Sequence, residues 1–263
     1  LALLGLIILG APAVAAAEET VRIKKFTAKA VPIKGLKGTG NFYGKGAAVE
    51  TEYEFEGSGY GPNPKKPEGG IPPLSGVNFF LPKGTKLDYK DFKTLCTEAI
   101  LNNSGPEGCP KKSFASEVGS AEGEVFFGET QVTENATLQG FFGPGNSLLF
   151  YTHGATPVDL SIVSTGKYVT SSGKYSYEFK AKVPPVVSLQ DAPLASVKKI
   201  HVKVGAGFKK GKKIISYGTL PIKGKCPKGG FPIKTEVLFG GEPEFHIPLK
   251  TVTAEFKAPC PKH

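Results

Sequence analysis

Alternation with a period of two runs through most of this chain, and it restricts the fold more than any other feature. Val49, Thr51, Tyr53 and Phe55 alternate with Glu50, Glu52, Glu54 and Glu56, giving a strand with one apolar face and one row of carboxylates. Tyr175, Tyr177, Phe179, Ala181 and Val183 alternate with Ser176, Glu178, Lys180 and Lys182, and Ile200, Val202 and Val204 oppose Lys199, His201 and Lys203. Further strands are expected near residues 21–30, 77–82, 123–127, 136–142, 147–152, 158–163, 213–219, 233–239 and 251–257. No segment carries a convincing helical period. The 34 Gly and 22 Pro fall mostly between the runs, as turn punctuation. Many short strands with frequent turns indicate an all-β sandwich or barrel.

A second pattern is an internal repeat. Thr39-Gly40 returns as Thr165-Gly166, Tyr53-Glu54-Phe55 as Tyr177-Glu178-Phe179, and Pro73-Leu74-Ser75 as Pro193-Leu194 with Ser196. Cys109-Pro110-Lys111 returns as Cys226-Pro227-Lys228, Val125-Phe126-Phe127-Gly128 as Val237-Leu238-Phe239-Gly240, and Phe142 as Phe256. The expectation is two tandem related β-sandwich domains of immunoglobulin-like size, 18–145 and 146–263, stapled by disulfides. Order along the chain leaves open whether the halves stay separate or intertwine.

Residues 1–17, LALLGLIILGAPAVAAA, match the apolar core and small-residue cleavage site of a signal peptide whose first residues are missing. They are too short for a spanning helix, and no later apolar run reaches membrane length. The mature chain is therefore expected to be secreted or held at the cell surface, without a transmembrane segment. Four Cys in an exported chain suggest two disulfides. Cys96 with Cys109 and Cys226 with Cys260 is the simplest pairing, and two others remain open. A zinc site fails on spacing, because there is no C-x-x-C and no clustered His.

The formal net charge is +10, and every basic residue except Arg22 is Lys. Base readers favour the planar guanidinium fork, so sequence-specific nucleic-acid recognition is not expected. Diffuse attraction to an anionic polymer is the physically reasonable alternative. The sharpest candidate contact is Lys209, Lys210, Lys212 and Lys213 in FKKGKK, which reads as a hairpin tip. Exposed lysines on such a tip also discourage edge-to-edge strand pairing.

Catalytic motifs are scarce. G-x-S-x-G and the phosphate-cradling G-x-x-x-x-G-K-[ST] do not occur, and calcium loops rich in Asp are missing. His153 is the best candidate base among His153, His201, His246 and His263. The Glu50 to Glu56 row has a spacing that any alternating strand produces, and cross-strand pairing with lysines such as Lys180 and Lys182 explains it without chemistry.

GPEGCPKKSFA, the stretch from Ser196 to Val237 and the terminal FKAPCPK together resemble segments of exported actinobacterial proteins with CPK-type cysteine motifs. No activity is established for that family, so the resemblance implies export, a β fold and an envelope setting, and transfers no site residue. The combined expectation is a non-enzymatic, cofactor-free binding or structural protein, partnered by an anionic wall polymer or another envelope protein. The alternative is an exported hydrolase using His153 or the Glu50 to Glu56 row in a cleft between lobes.

Overall fold

The structure, a computed structural model, describes residues 19–40, 46–62, 70–190, 192–220 and 227–259. Its first strands are β1 (Thr20–Val31), β2 (Ala48–Ser58), β3 (Leu74–Pro82) and β4 (Lys86–Leu87), followed by a short helix, α1 (Glu98–Ser104). Then come β5 (Gly119–Phe127), β6 (Thr130–Gly143), β7 (Ser147–Gly154), β8 (Leu160–Thr170) and β9 (Tyr175–Lys182). The last are β10 (Ser196–Val204), β11 (Gly207–Lys210), β12 (Lys213–Ser216), β13 (Gly218–Thr219), β14 (Phe231–Phe239) and β15 (Lys250–Ala258). Every long strand covers a run of period-two alternation expected from the sequence.

Eleven strands form one antiparallel sheet in the order β1-β2-β10-β5-β6-β7-β8-β9-β3-β14-β15, while β11 pairs with β12 and β13 with β4. The sheet rolls until its two edges meet. Phe26 of β1 packs against Phe256 of β15 with ring centroids 6.2 Å apart, and the Tyr53 hydroxyl of β2 donates to Thr235 Oγ1 of β14 at 3.1 Å. Side chains make this closure, since no ladder joins β1 to β15 among the described residues. Rolling is how a twisted sheet of this size covers its edges and encloses an apolar face.

The expected division at 145/146 is not what the chain forms, because β10 from the second half lies between β2 and β5, and β3 from the first half between β9 and β14. The halves interleave. A five-strand run occurs twice, β1-β2-β10-β5-β6 and β8-β9-β3-β14-β15, with β7 joining them. Most repeated anchors take matching places: Tyr53-Glu54-Phe55 lies in β2 and Tyr177-Glu178-Phe179 in β9, and Phe142 lies in β6 and Phe256 in β15. Gly128 and Gly240 follow β5 and β14 with φ of 58° and 67°, a left-handed turn that favours glycine. Thr39-Gly40 departs from the pattern, lying in a turn while Thr165-Gly166 lies inside β8.

Outward charge gives a physical reason for the exchange. Glu50, Glu52 and Glu54 of β2 meet Lys29, Lys25 and Lys24 of β1 at 2.9, 2.6 and 2.6 Å, and Glu56 pairs with Arg22. On its other side Glu50 meets His201 of β10 at 2.8 Å, while Lys199 and Lys198 of β10 reach Glu122 and Glu124 of β5 at 2.9 and 2.6 Å. Basic and acidic columns thus alternate across β1, β2, β10 and β5. β3 alternates Gly76, Asn78 and Phe80 where β10 offers Lys199, His201 and Lys203, so it has no cation to place between two acidic columns. The partners of the Glu row are therefore on β1 and β10, and Lys180, expected opposite the row, sits beside Glu178 at 3.4 Å.

The segment between β4 and β5 folds over the outer face of β6, β7 and β8. A disulfide joins Cys96 to Cys109, and Leu101 of α1 is buried with both cysteines against Phe141 and Leu149. The sequence carries no helical period here, yet Glu98–Ser104 is helical. Thr97 in fact caps α1, its hydroxyl accepting from the Ile100 N–H at 3.3 Å, and Gly105 ends it. Cys226 and Cys260 lie outside the described residues, as do residues 1–17, where a signal peptide is expected.

Candidate basic end and interior cavity

Antiparallel pairing sorts the connections between the eleven strands to two ends of the roll. At one end lie segments 32–40, 83–93, 144–146, 171–174 and 205–230, because Val31 pairs with Ala48, Pro82 with Tyr175, Gly143 with Ser147 and Lys203 with Glu50. Their described residues include Lys34, Lys37, Lys83, Lys86, Lys90 and Lys93, with Lys174, Lys209, Lys210, Lys212, Lys213 and Lys228, all exposed. Asp88 and Asp91 are the only acids among them, and where the β4–β5 connection returns to this end Glu117 lies 3.8 Å from Lys203. The opposite end carries Glu129, Asp159, Glu242 and Glu244, and no Lys or Arg among the described residues of segments 59–73, 128–129, 155–159, 183–195 and 240–249. Among the described residues of these connecting segments, positive charge is thus gathered at one end.

Lys209, Lys210, Lys212 and Lys213 stand on the β11–β12 hairpin, which turns at Gly211 with φ of 62°. Lys210 approaches Asp91 at 3.9 Å. Phe208, at the hairpin's root, packs on Phe92 with centroids 5.6 Å apart, and this fixes the tip relative to the body. Sequence reading found the hairpin and missed the eight lysines around it. Their signal was present as composition, but only strand pairing shows that separate turns share an end.

Inside the roll, β2, β3 and β5 to β10 enclose a cavity of about 220 Å³. Its wall is mostly aliphatic and aromatic, with Val49, Val77, Leu138, Phe150, Ile162 and Phe179 among its members, and contains no Asp, Glu, Lys, Arg or His among the described residues. The basic end is closed by an aromatic plug: Tyr217 lies 4.8 Å from Phe142, 5.6 Å from Phe92 and 5.6 Å from Tyr89, centroid to centroid. Val183, Val186 and Ala195 line the far end. Left empty, a void of this size would cost about 5 kcal/mol at ~24 cal/mol per Å³, against a total stability of about 5–15 kcal/mol.

Two tyrosines mark the plugged end. Tyr217 is 3 % exposed and its hydroxyl is buried without a hydrogen-bond partner among the described residues. The neighbouring Tyr89 hydroxyl is the group that interacts with it. Burial pushes the Tyr217 and Tyr168 hydroxyls far above the ordinary phenol range, so both are neutral at any physiological pH.

The groups proposed for hydrolysis are not brought together. His153 on β7 and the Glu row on β2 are four strand spacings apart, about 19 Å along the sheet. His153 Nδ1 lies 3.1 Å from Ser161 Oγ and 3.8 Å from Asp159 Oδ1. Both partners approach one nitrogen, whereas a relay needs the serine and the carboxylate on opposite ring nitrogens. His201 is engaged by Glu50, His246 follows a turn at the acidic end, and His263 lies outside the described residues. No helix among the described residues is long and apolar enough to cross a membrane.

No protein-family model matches the chain, and neither a curated protein nor a solved structure is significantly similar to it.

Proposed function

We propose that the protein is an exported, non-enzymatic binding protein of the cell envelope, held on an anionic wall polymer by its lysine-rich end. The observation that carries this reading is the charge separation among the described residues of the connecting segments, twelve Lys against Asp88 and Asp91 at one end and four acids at the other. Such a distribution orients the molecule in the field of a polyanion as well as attracting it. Lysine suits the task, since a mobile ammonium serves as a point charge toward spaced phosphates or carboxylates without demanding a fixed geometry. The apolar pattern of residues 1–17 supports export.

Sedimentation of residues 18–263 with purified actinobacterial cell walls tests the reading. Binding is expected at low salt and is expected to fall steeply as salt shortens the range of the field, about 8 Å at physiological ionic strength. Replacement of Lys209, Lys210, Lys212 and Lys213 by Ser is expected to weaken it further. Absence of binding at low salt contradicts the proposal.

A further inference from the structure

We infer that the interior cavity is a binding site for an uncharged, mainly apolar small molecule. The cavity is large enough to matter: an apolar void of about 150 Å³ accommodates benzene, so by proportion 220 Å³ takes a ligand of roughly nine non-hydrogen atoms. Water does not fill it well, because a buried water needs two to four polar partners and this wall is almost wholly apolar.

The ligand's charge follows from the wall. With no ionisable cation lining the cavity, a carboxylate or phosphate would lose its hydration without compensation, and with no carboxylate an ammonium would do the same. An alkyl or ring body would fill the space between Phe150, Ile162 and Val77. The site is separate from the lysine end, although the plug that carries Tyr217 is also the platform for the lysine hairpin.

Calorimetric titration of the mature chain with octan-1-ol and with octanoate, at about pH 8 where the acid is ionised, tests the inference. The alcohol is expected to bind with one-to-one stoichiometry, at least tenfold more tightly than the carboxylate. Ala181→Leu, which fills the cavity from β9, is expected to abolish binding while raising the melting temperature. Failure of the alcohol to bind, equal binding of the carboxylate, or undiminished binding by Ala181→Leu would each overturn it. None of these outcomes depends on whether cell walls are bound.

Discussion

Glu50 is where the outer charge columns converge, since Lys29 and His201 reach its two oxygens at 2.9 and 2.8 Å and its side chain is only 13 % exposed. Hydrogen bonds from Lys29, Lys25 and Lys24 hold the Glu50, Glu52 and Glu54 carboxyls below the ordinary range, and the same contacts with Glu50 and Glu54 raise Lys29 and Lys24. A carboxyl lowered on folding contributes stability that is fully present above its unfolded value, about 4.3, and is lost as pH falls through the folded value. The raised lysines contribute in the opposite window, losing their share only as pH climbs through their folded values. We therefore expect the melting temperature to fall below about pH 4.5. Glu50→Gln should lower it at neutral pH, by about 1 kcal/mol or less in stability because Lys29 is exposed, and should flatten the acid decline. Melting curves between neutral and acid pH check this, and parallel declines for both proteins would contradict it.

The strands were legible because alternation is a property of one stretch of chain, readable without knowing its neighbours. Helix α1 was not, because its seven residues give too few turns for a period, and its only local marks are the Thr97 cap and Gly105. What holds it is tertiary: Leu101 buried against Phe141 and Leu149, and the Cys96–Cys109 bond across its base. A bridge spanning 13 residues stabilises by about 3 kcal/mol. The Cys96→Ala/Cys109→Ala variant should accordingly melt roughly 6–12 °C lower, leaving the sheet formed by far-ultraviolet circular dichroism. An unchanged melting temperature would show that the covering segment contributes nothing to the fold.

At the scale of the whole molecule, the repeat could be seen in the sequence but the exchange of β3 and β10 could not, because pairing is decided by long-range charge and shape rather than by order. The candidate site divides in the same way. The Lys209 to Lys213 tip was visible as a local run, whereas the other basic-end lysines, the acidic end and the cavity exist only once the sheet is rolled. Interleaving predicts that residues 18–145 alone do not form a stable folded monomer, since β2 and β5 then lack the strand that separates them. Size-exclusion chromatography and circular dichroism of that fragment are expected to show an unfolded chain or a strand-exchanged dimer, and a cooperatively melting monomer would contradict the arrangement.

The account rests most on the claim that binding follows where the charge sits, and not merely how much there is. Two variants of equal net charge separate these: one with Lys209, Lys210, Lys212 and Lys213 changed to Gln, the other with Lys24, Lys25, Lys29 and Lys199 on the outer sheet face changed to Gln. Sedimentation with cell walls at one low salt concentration is the measurement. The account predicts that the hairpin variant loses most of its binding while the sheet-face variant keeps it, and equal loss in both would contradict it.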